Sequence, residues 1–267
     1  MISFPNAKIN LGLFVTGKRK DGFHNIESIF FPIPFCDILE INHSSKTTFE
    51  SSGLNIPGKK EENLIFKAYK AFRKDFNLDP VQIILHKQIP MGAGLGGGSA
   101  DGAFTLRMLN DLFDLYLEDD LIEVYASDLG SDCPFFVSNK PAFVSGRGEN
   151  IEHIDLSLEG YYLVLMNPGI HISTPKAYSL ITPEKIDFSL KELVKEKPEN
   201  WKGRLTNSFE TPIVKEYPII GEAINHLYEQ NAIYASMTGS GSSIYGLFQS
   251  KPEIHKFNEF VVWEGKL

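Results

Sequence analysis

Pro90-Met91-Gly92-Ala93-Gly94-Leu95-Gly96-Gly97-Gly98-Ser99-Ala100 places five glycines in seven positions. It follows the alternating run Val81-Gln82-Ile83-Ile84-Leu85 and precedes a stretch with Ala103, Leu106, Leu109 and Phe113 at helical spacing. The order is strand, glycine turn, helix. Glycines let successive N–H groups converge on one point, and a helix beginning at about Ser99 or Ala100 adds free amides and the positive end of its dipole. A polyanion is the expected occupant.

Three familiar glycine loops do not match. A Walker A loop ends in Gly-Lys-Ser/Thr, whereas Gly97-Gly98 runs into Ser99-Ala100 with no lysine. Gly92 to Gly97 does spell G-x-G-x-x-G, but Asp111 and Asp114 lie on the following helix and not at the end of a second strand, which argues against a Rossmann oxidoreductase. The strings H-R-D and D-F-G of protein kinases are absent. A glycine turn without a ligand stays open as the structural alternative, at a heavy conformational-entropy cost.

Composition narrows the class. The chain has 267 residues, 42% hydrophobic and 22% charged, enough for one large domain or two small ones. Its apolar runs fall short of the ~18 residues that span a bilayer, and Met1-Ile2-Ser3-Phe4-Pro5 lacks the basic-then-apolar order of a signal peptide, so a cytoplasmic protein without a membrane partner is expected. Cys36 and Cys133 are too few for a disulfide framework or a metal cluster. A net charge of −8 argues against nucleic acid as a partner.

Elsewhere strands and helices alternate. Ala7 to Val15 and Asp37 to Asn42 read as strands, and Asn63 caps a helix to about Phe76 with Leu64, Ala68, Ala71 and Phe72 on one side. Leu121 to Leu129 reads as a helix, Cys133 to Val137 as a strand entry, Tyr161 to Met166 as a strand and Tyr217 to Gln230 as a helix. A second glycine turn, Thr238-Gly239-Ser240-Gly241-Ser242-Ser243, opens into the apolar run Ile244 to Phe248. The pattern predicts an α+β protein of two lobes, residues 1–150 and 151–267.

Three polar features stand out. Lys8 and Asn10 share one strand face, and Asp132 sits in the turn Gly130-Ser131-Asp132-Cys133-Pro134. Taken singly, a solvated lysine, a capping aspartate and a ligand-free second glycine turn remain open. Together they make the set that a small-alcohol kinase requires: an amide cradle for ATP, a carboxylate to take the hydroxyl proton, and a cation beside it.

The first glycine motif resembles the phosphate-binding motif of the superfamily that contains galactokinase, homoserine kinase, mevalonate kinase and phosphomevalonate kinase. Pro5-Asn6-Ala7-Lys8-Ile9-Asn10-Leu11 is similar to its N-terminal motif, and Met237 to Ser243 to its C-terminal one. Within it, Thr16-Gly17-Lys18-Arg19-Lys20-Asp21-Gly22-Phe23-His24 and Gly130 to Phe136 resemble the branch that phosphorylates the 2-hydroxyl of a cytidine-diphosphate-linked methylerythritol in the non-mevalonate isoprenoid pathway.

The resemblance implies a ribosomal-protein-S5-like N-terminal lobe that binds ATP and carries the catalysis, and a ferredoxin-like, substrate-binding C-terminal lobe. It implies Asp132 and Lys8 as catalytic residues, with Pro90, Gly92, Gly94, Leu95, Gly96, Gly97, Gly98 and Ser99 on ATP. Asn10, Phe23, His24, Tyr178, Gly239 and Ser240 fall to the substrate, with Phe23 and Tyr178 sandwiching the cytosine and His24 on its polar edge. Mg²⁺ is expected to come with the nucleotide and not from a dedicated protein site. Phe23 departs from the tyrosine common in this branch. Asp101, on the first helical turn, suits the dipole but is unwelcome beside phosphates, so its direction decides its effect. Another small-alcohol kinase of the superfamily and a nucleotide-binding regulator without activity are the competing readings.

Overall fold

The protein, described here as a computed structural model, is defined over Met1–Leu267. In chain order the first half contains β1 (Ile2–Ser3), β2 (Asn6–Lys18), β3 (His24–Cys36), β4 (Ile38–His43), β5 (Thr48–Gly53), α1 (Leu64–Phe76), β6 (Val81–Lys87), α2 (Gly97–Leu112), α3 (Asp119–Leu129) and α4 (Phe135–Ser138). There follow β7 (Ala142–Gly146), β8 (Asn150–His153), β9 (Tyr162–Met166), α5 (Thr174–Ser179), α6 (Leu190–Leu193), α7 (Glu210–Glu216), α8 (Pro218–Glu229), β10 (Tyr234–Met237), β11 (Ile244–Phe248) and β12 (Val261–Lys266). The strands form three sheets, ordered β1-β4-β6-β5, β2-β3-β7-β8 and β10-β11-β9-β12. The expected α+β class holds.

The chain separates into two compact units that interleave. One comprises residues 1–8, 34–91 and 96–140; the other comprises 9–33, 92–95 and 141–267. The reason is β2 and β3: these 13-residue strands share a sheet with β7 and β8, so most of their length is held by later parts of the chain.

In the first unit, Asn63 caps α1 by accepting from the Ile65 amide at 2.9 Å. The buried stripe of α1 is Ile65, Ala68, Tyr69 and Phe72, and on α2 Ala103, Leu106 and Leu109 are buried with it; Leu64, Ala71 and Phe113 sit at the margin. Ile83 and Leu85 of β6 and Leu39 and Ile41 of β4 complete this core, each fully buried side chain contributing about 1.5–3 kcal/mol. Residues 133–137 do not form the expected strand. Pro134 has helical dihedrals (φ −58°, ψ −34°) and the chain turns directly into α4, burying Phe135, Phe136 and Val137. In so short an apolar run, the length and period do not separate a strand from one buried helical turn.

The second unit has its own core, in which Val164 and Met166 of β9, Phe209 and Ile213, Ile220, Ile224 and Leu227 of α8, and Met237 and Ile244 pack with Leu13 and Val15 of β2. No helix is long and apolar enough to cross a membrane.

Candidate active site

β2 is buried on both faces from Asn6 to Val15, so the period-two pattern of this strand does not mark a solvated side. Lys8 is only 3% exposed, which removes the solvated-lysine alternative. Its Nζ lies 3.7 Å from an Asp132 carboxylate oxygen, and Asp132 remains about one-third exposed. Burial pushes the Lys8 ammonium below its usual range, with the Asp132 carboxylate pulling the other way. A cation taken out of water and a carboxylate left partly in it form an asymmetric pair. Of the two, only the carboxylate is open to solvent.

The phosphate loop meets this pair. Gly96 has φ +71°, and a Cβ there would fall 2.9 Å from Phe136 and 3.2 Å from the stem of Lys8. A side chain at 96 would clash with the Phe136 ring and crowd Lys8. α2 begins one residue later, at Gly97. The amides of Gly97, Gly98 and Ser99 have no backbone acceptor, and the first such bond into the helix is Ala100 N–H to the Gly96 carbonyl at 2.9 Å. Beside them opens a recess with Ile56, Pro57, Leu64 and Met91 as apolar wall, and Glu62, Asn63 and Asp101 as polar groups.

The Asp101 carboxylate is engaged by Lys87. Its Oδ2 accepts from Lys87 Nζ at 2.6 Å, and Lys87 also reaches Asp37 at 2.5 Å, with all three side chains buried. Asp37 in turn accepts from the Gln88 and Ile89 amides at 2.6 and 2.9 Å. Pro90 therefore follows a β6 end that is tied down from below.

In the second unit the two glycine motifs touch. A Cβ on Gly94 would lie 2.2 Å from the Thr238 carbonyl, and one on Gly239 would lie 2.7 Å from the Gly94 Cα. Thr238 Oγ1 lies 3.3 Å from the Gly94 carbonyl, and the Ser243 amide donates to Ala93 at 3.3 Å. Gly92 and Leu95 flank this contact, Gly92 facing His171 and Leu95 buried. Backbone approaches backbone at Gly94 and Gly239, which is why neither position has room for a side chain.

Asn10 is buried, and its Oδ1 accepts from the Gly239 amide at 3.0 Å and from Thr238 Oγ1 at 3.1 Å. It holds the turn. The His24 ring stacks on Tyr178 at 4.8 Å with 22° between planes, and Tyr178 meets Phe209 edge-on. Phe23 is 56% exposed and carries the Arg147 guanidinium 5.1 Å from its ring centre. His24 thus faces the ring of Tyr178, and the aromatic exposed to solvent is Phe23.

Residues 63–140 match the GHMP kinases N terminal domain, and residues 189–261 match GHMP kinases C terminal. A 4-diphosphocytidyl-2-C-methyl-D-erythritol kinase of Parabacteroides distasonis is 48% identical, with all of both chains covered. The chain belongs to the 4-diphosphocytidyl-2-C-methyl-D-erythritol kinase family of the GHMP kinases. The enzyme of that name from Bacteroides fragilis is 50% identical over 97% of this chain and 96% of its own. A crystal structure of a 4-(cytidine 5'-diphospho)-2C-methyl-D-erythritol kinase superposes with a TM-score of 0.81 at 29% identity, covering 92% of this chain and 90% of that one. The two-lobed kinase architecture expected from the motifs is the architecture of this family.

Four residues escaped the sequence reading. Lys87 and Asp37 lie outside every motif and are linked only by a fold that pairs β4 with β6. Asn207 sits in Thr206-Asn207-Ser208, where nothing in the composition marks it, yet its side chain reaches the second glycine turn. Arg147 follows β7, and its contact with Phe23 depends on the β3–β7 pairing.

Proposed function

We propose that the protein transfers the γ-phosphoryl group of ATP to the 2-hydroxyl of 4-diphosphocytidyl-2-C-methyl-D-erythritol, a step of the non-mevalonate route to isoprenoid precursors. The observation that carries the reading is the buried Lys8 ammonium held between the half-open Asp132 carboxylate and Gly96, one residue before the free amides of α2.

Phosphoryl transfer needs little covalent help from a protein and much positioning and charge stabilisation. The open amides of Gly97, Gly98 and Ser99 and the helix dipole take the phosphates, and the recess beside Met91 and Leu64 takes the nucleoside. Asp132 accepts the hydroxyl proton as the oxygen–phosphorus bond forms, and Lys8 offsets the negative charge that moves during transfer. Mg²⁺ bound with ATP would supply charge neutralisation on the β and γ phosphates, and no group of three or more His, Cys, Asp or Glu side chains is placed to hold it as a dedicated protein site. Residues 1–150 supply the nucleotide and catalytic groups, and 151–267 add Tyr178, Gly239 and Ser240 for the acceptor. Asn10 acts on the acceptor through the turn it holds. For cytosine to stack on Tyr178 the His24 ring must leave that face, which frees its nitrogens for the edge of the base.

Purified protein with ATP is expected to phosphorylate the cytidine substrate and to leave mevalonate, homoserine and galactose untouched. His24→Ala should narrow its preference for cytidine over a uridine analogue, whereas Tyr178→Ala should raise the Michaelis constant for both, because stacking, at roughly 1–3 kcal/mol, does not discriminate between bases. Turnover of another alcohol in place of the cytidine compound would replace the substrate assignment. ATP binding without any turnover would leave a regulator.

The cradle has one clean probe. A Cβ on Gly98 meets only the Met91 Cε at 3.7 Å, in the recess, while one on Gly97 would lie 2.7 Å from Ile89 and 3.1 Å from Lys87 Nζ. Gly98→Val is expected to keep the melting temperature and weaken ATP binding by calorimetry. Gly97→Val instead overpacks the floor beneath the loop, losing about 1–3 kcal/mol of stability. Equal ATP affinity in Gly98→Val would remove this residue from the phosphate site.

A further inference from the structure

The second glycine turn is held from two sides. Asn10 takes the Gly239 N–H, as described above. On the other side Asn207, 4% exposed, donates through Nδ2 to the Met237 carbonyl at 2.8 Å and to the Gly239 carbonyl at 2.9 Å. Its Oδ1 accepts from the Phe209 amide at 2.9 Å, so every donor and the acceptor of this side chain are committed. The backbone around it is equally fixed: Thr206 accepts from Leu13 N–H at 2.9 Å, and Ser208 N–H donates to Leu13 at 2.7 Å.

Within the turn, Gly241 N–H bonds to Thr238, Ser243 N–H bonds to Ala93, and the Ser242 hydroxyl bonds to Ile170. Ser240 differs from these neighbours: neither its amide nor its hydroxyl has a partner within the protein. The Gly239–Ser240 peptide is trans, so the Gly239 C=O and the Ser240 N–H point in opposite directions across one rigid plane. Pulling the carbonyl toward Asn207 pushes the Ser240 N–H the other way.

We propose that Asn207 is a positioning residue for the acceptor: by holding the Gly239 carbonyl it aims the free Ser240 amide at the alcohol substrate. The inference rests on the reading of Ser240 as an acceptor-binding residue. Two asparagines at 10 and 207 then divide the work, one fixing the amide and the other the carbonyl of the same glycine. Neither needs to touch the substrate.

Asn207→Asp is nearly isosteric but faces two carbonyls with a carboxylate in place of two donors, so the Gly239 peptide should rotate. The Michaelis constant for the cytidine substrate is expected to rise about tenfold or more, the size of one well-made hydrogen bond, while ATP affinity stays as in the wild type. Asn207→Ala should show the same split with a smaller amplitude. Tyr234→Phe serves as the structural comparison, since it removes another buried hydrogen bond of this region, from Tyr234 to the Leu205 carbonyl at 2.9 Å. It should lower the melting temperature and leave the acceptor Michaelis constant alone. An unchanged acceptor constant in both Asn207 variants overturns the proposal, as does a fall in acceptor affinity, ATP affinity and melting temperature in step. A wild-type protein that phosphorylates no cytidine acceptor overturns the functional reading itself, and this inference with it.

Discussion

Asp132→Asn is expected to lower kcat by roughly 10²- to 10⁴-fold, the usual span for a lost acid–base group, with little change in ATP affinity. The geometry explains why the loss should fall on kcat. Asp132 lies in the turn between α3 and α4, and its carboxylate is partly exposed while its partner Lys8 is buried. The asparagine keeps the shape and one oxygen facing Lys8 but cannot take a proton from the acceptor hydroxyl. The buried Lys8 ammonium loses its counter-charge in this variant, so a lower melting temperature is expected beside the kinetic loss, and retained ATP binding shows that the fold survives. Single-turnover rates measured with saturating ATP and acceptor check the point directly. A variant with near-normal turnover would return Asp132 to a turn-stabilising role and leave the hydroxyl proton to solvent.

How far the sequence carries this site can be judged residue by residue. Gly92 to Ser99 was legible because a glycine run between a strand and a helix has few physical explanations. Asp132 and Lys8 became legible only through each other, since a turn aspartate and a strand lysine each have a commoner role. The reason for the glycines was harder to read. Phosphate contact suggested itself for the whole run, yet packing alone excludes side chains at Gly94, Gly96 and Gly97, because Thr238, Phe136 and Ile89 occupy the space. Those neighbours are 144, 40 and 8 residues away in the chain, and only the shortest of these separations lies within reach of a local reading. Gly98 is the position where open space fits a ligand. Asn10 shows the same limit: strand alternation placed it beside Lys8, but its commitment to Gly239, 229 residues on, needs the fold. The short α4 was misread because burial of three consecutive apolar residues looks alike in a strand and in one helical turn.

The largest stability effect is expected at a residue with no part in the chemistry. Lys87 is fully buried between Asp37 and Asp101, and its ammonium lies directly beneath the Gly97 turn of α2. Replacing it by methionine fills the same volume and leaves two carboxylates buried without a cation. Removing one partner from such a cluster typically costs about 3–5 kcal/mol, and Lys87→Met should lose that much in urea unfolding at neutral pH. Asp101→Asn should behave differently, because burial works against the charged form of Asp101. Burial pushes its carboxyl from 3.8 up to about 7, with Lys87 opposing and Asp37 adding to the rise. Asp37 accepts from two backbone amides and from the lysine. Between about pH 4 and about 7 the folded chain therefore binds a proton at Asp101 that the unfolded chain has released. Stability from this group falls as pH rises across that window and is level above it. Asp101→Asn keeps an oxygen for Lys87 and cannot titrate, so the wild type should lose stability relative to this variant over the same window and run parallel to it at higher pH. Parallel curves throughout would show that Asp101 stays ionised in the fold, and that the buried lysine holds two negative charges at once beneath the phosphate loop.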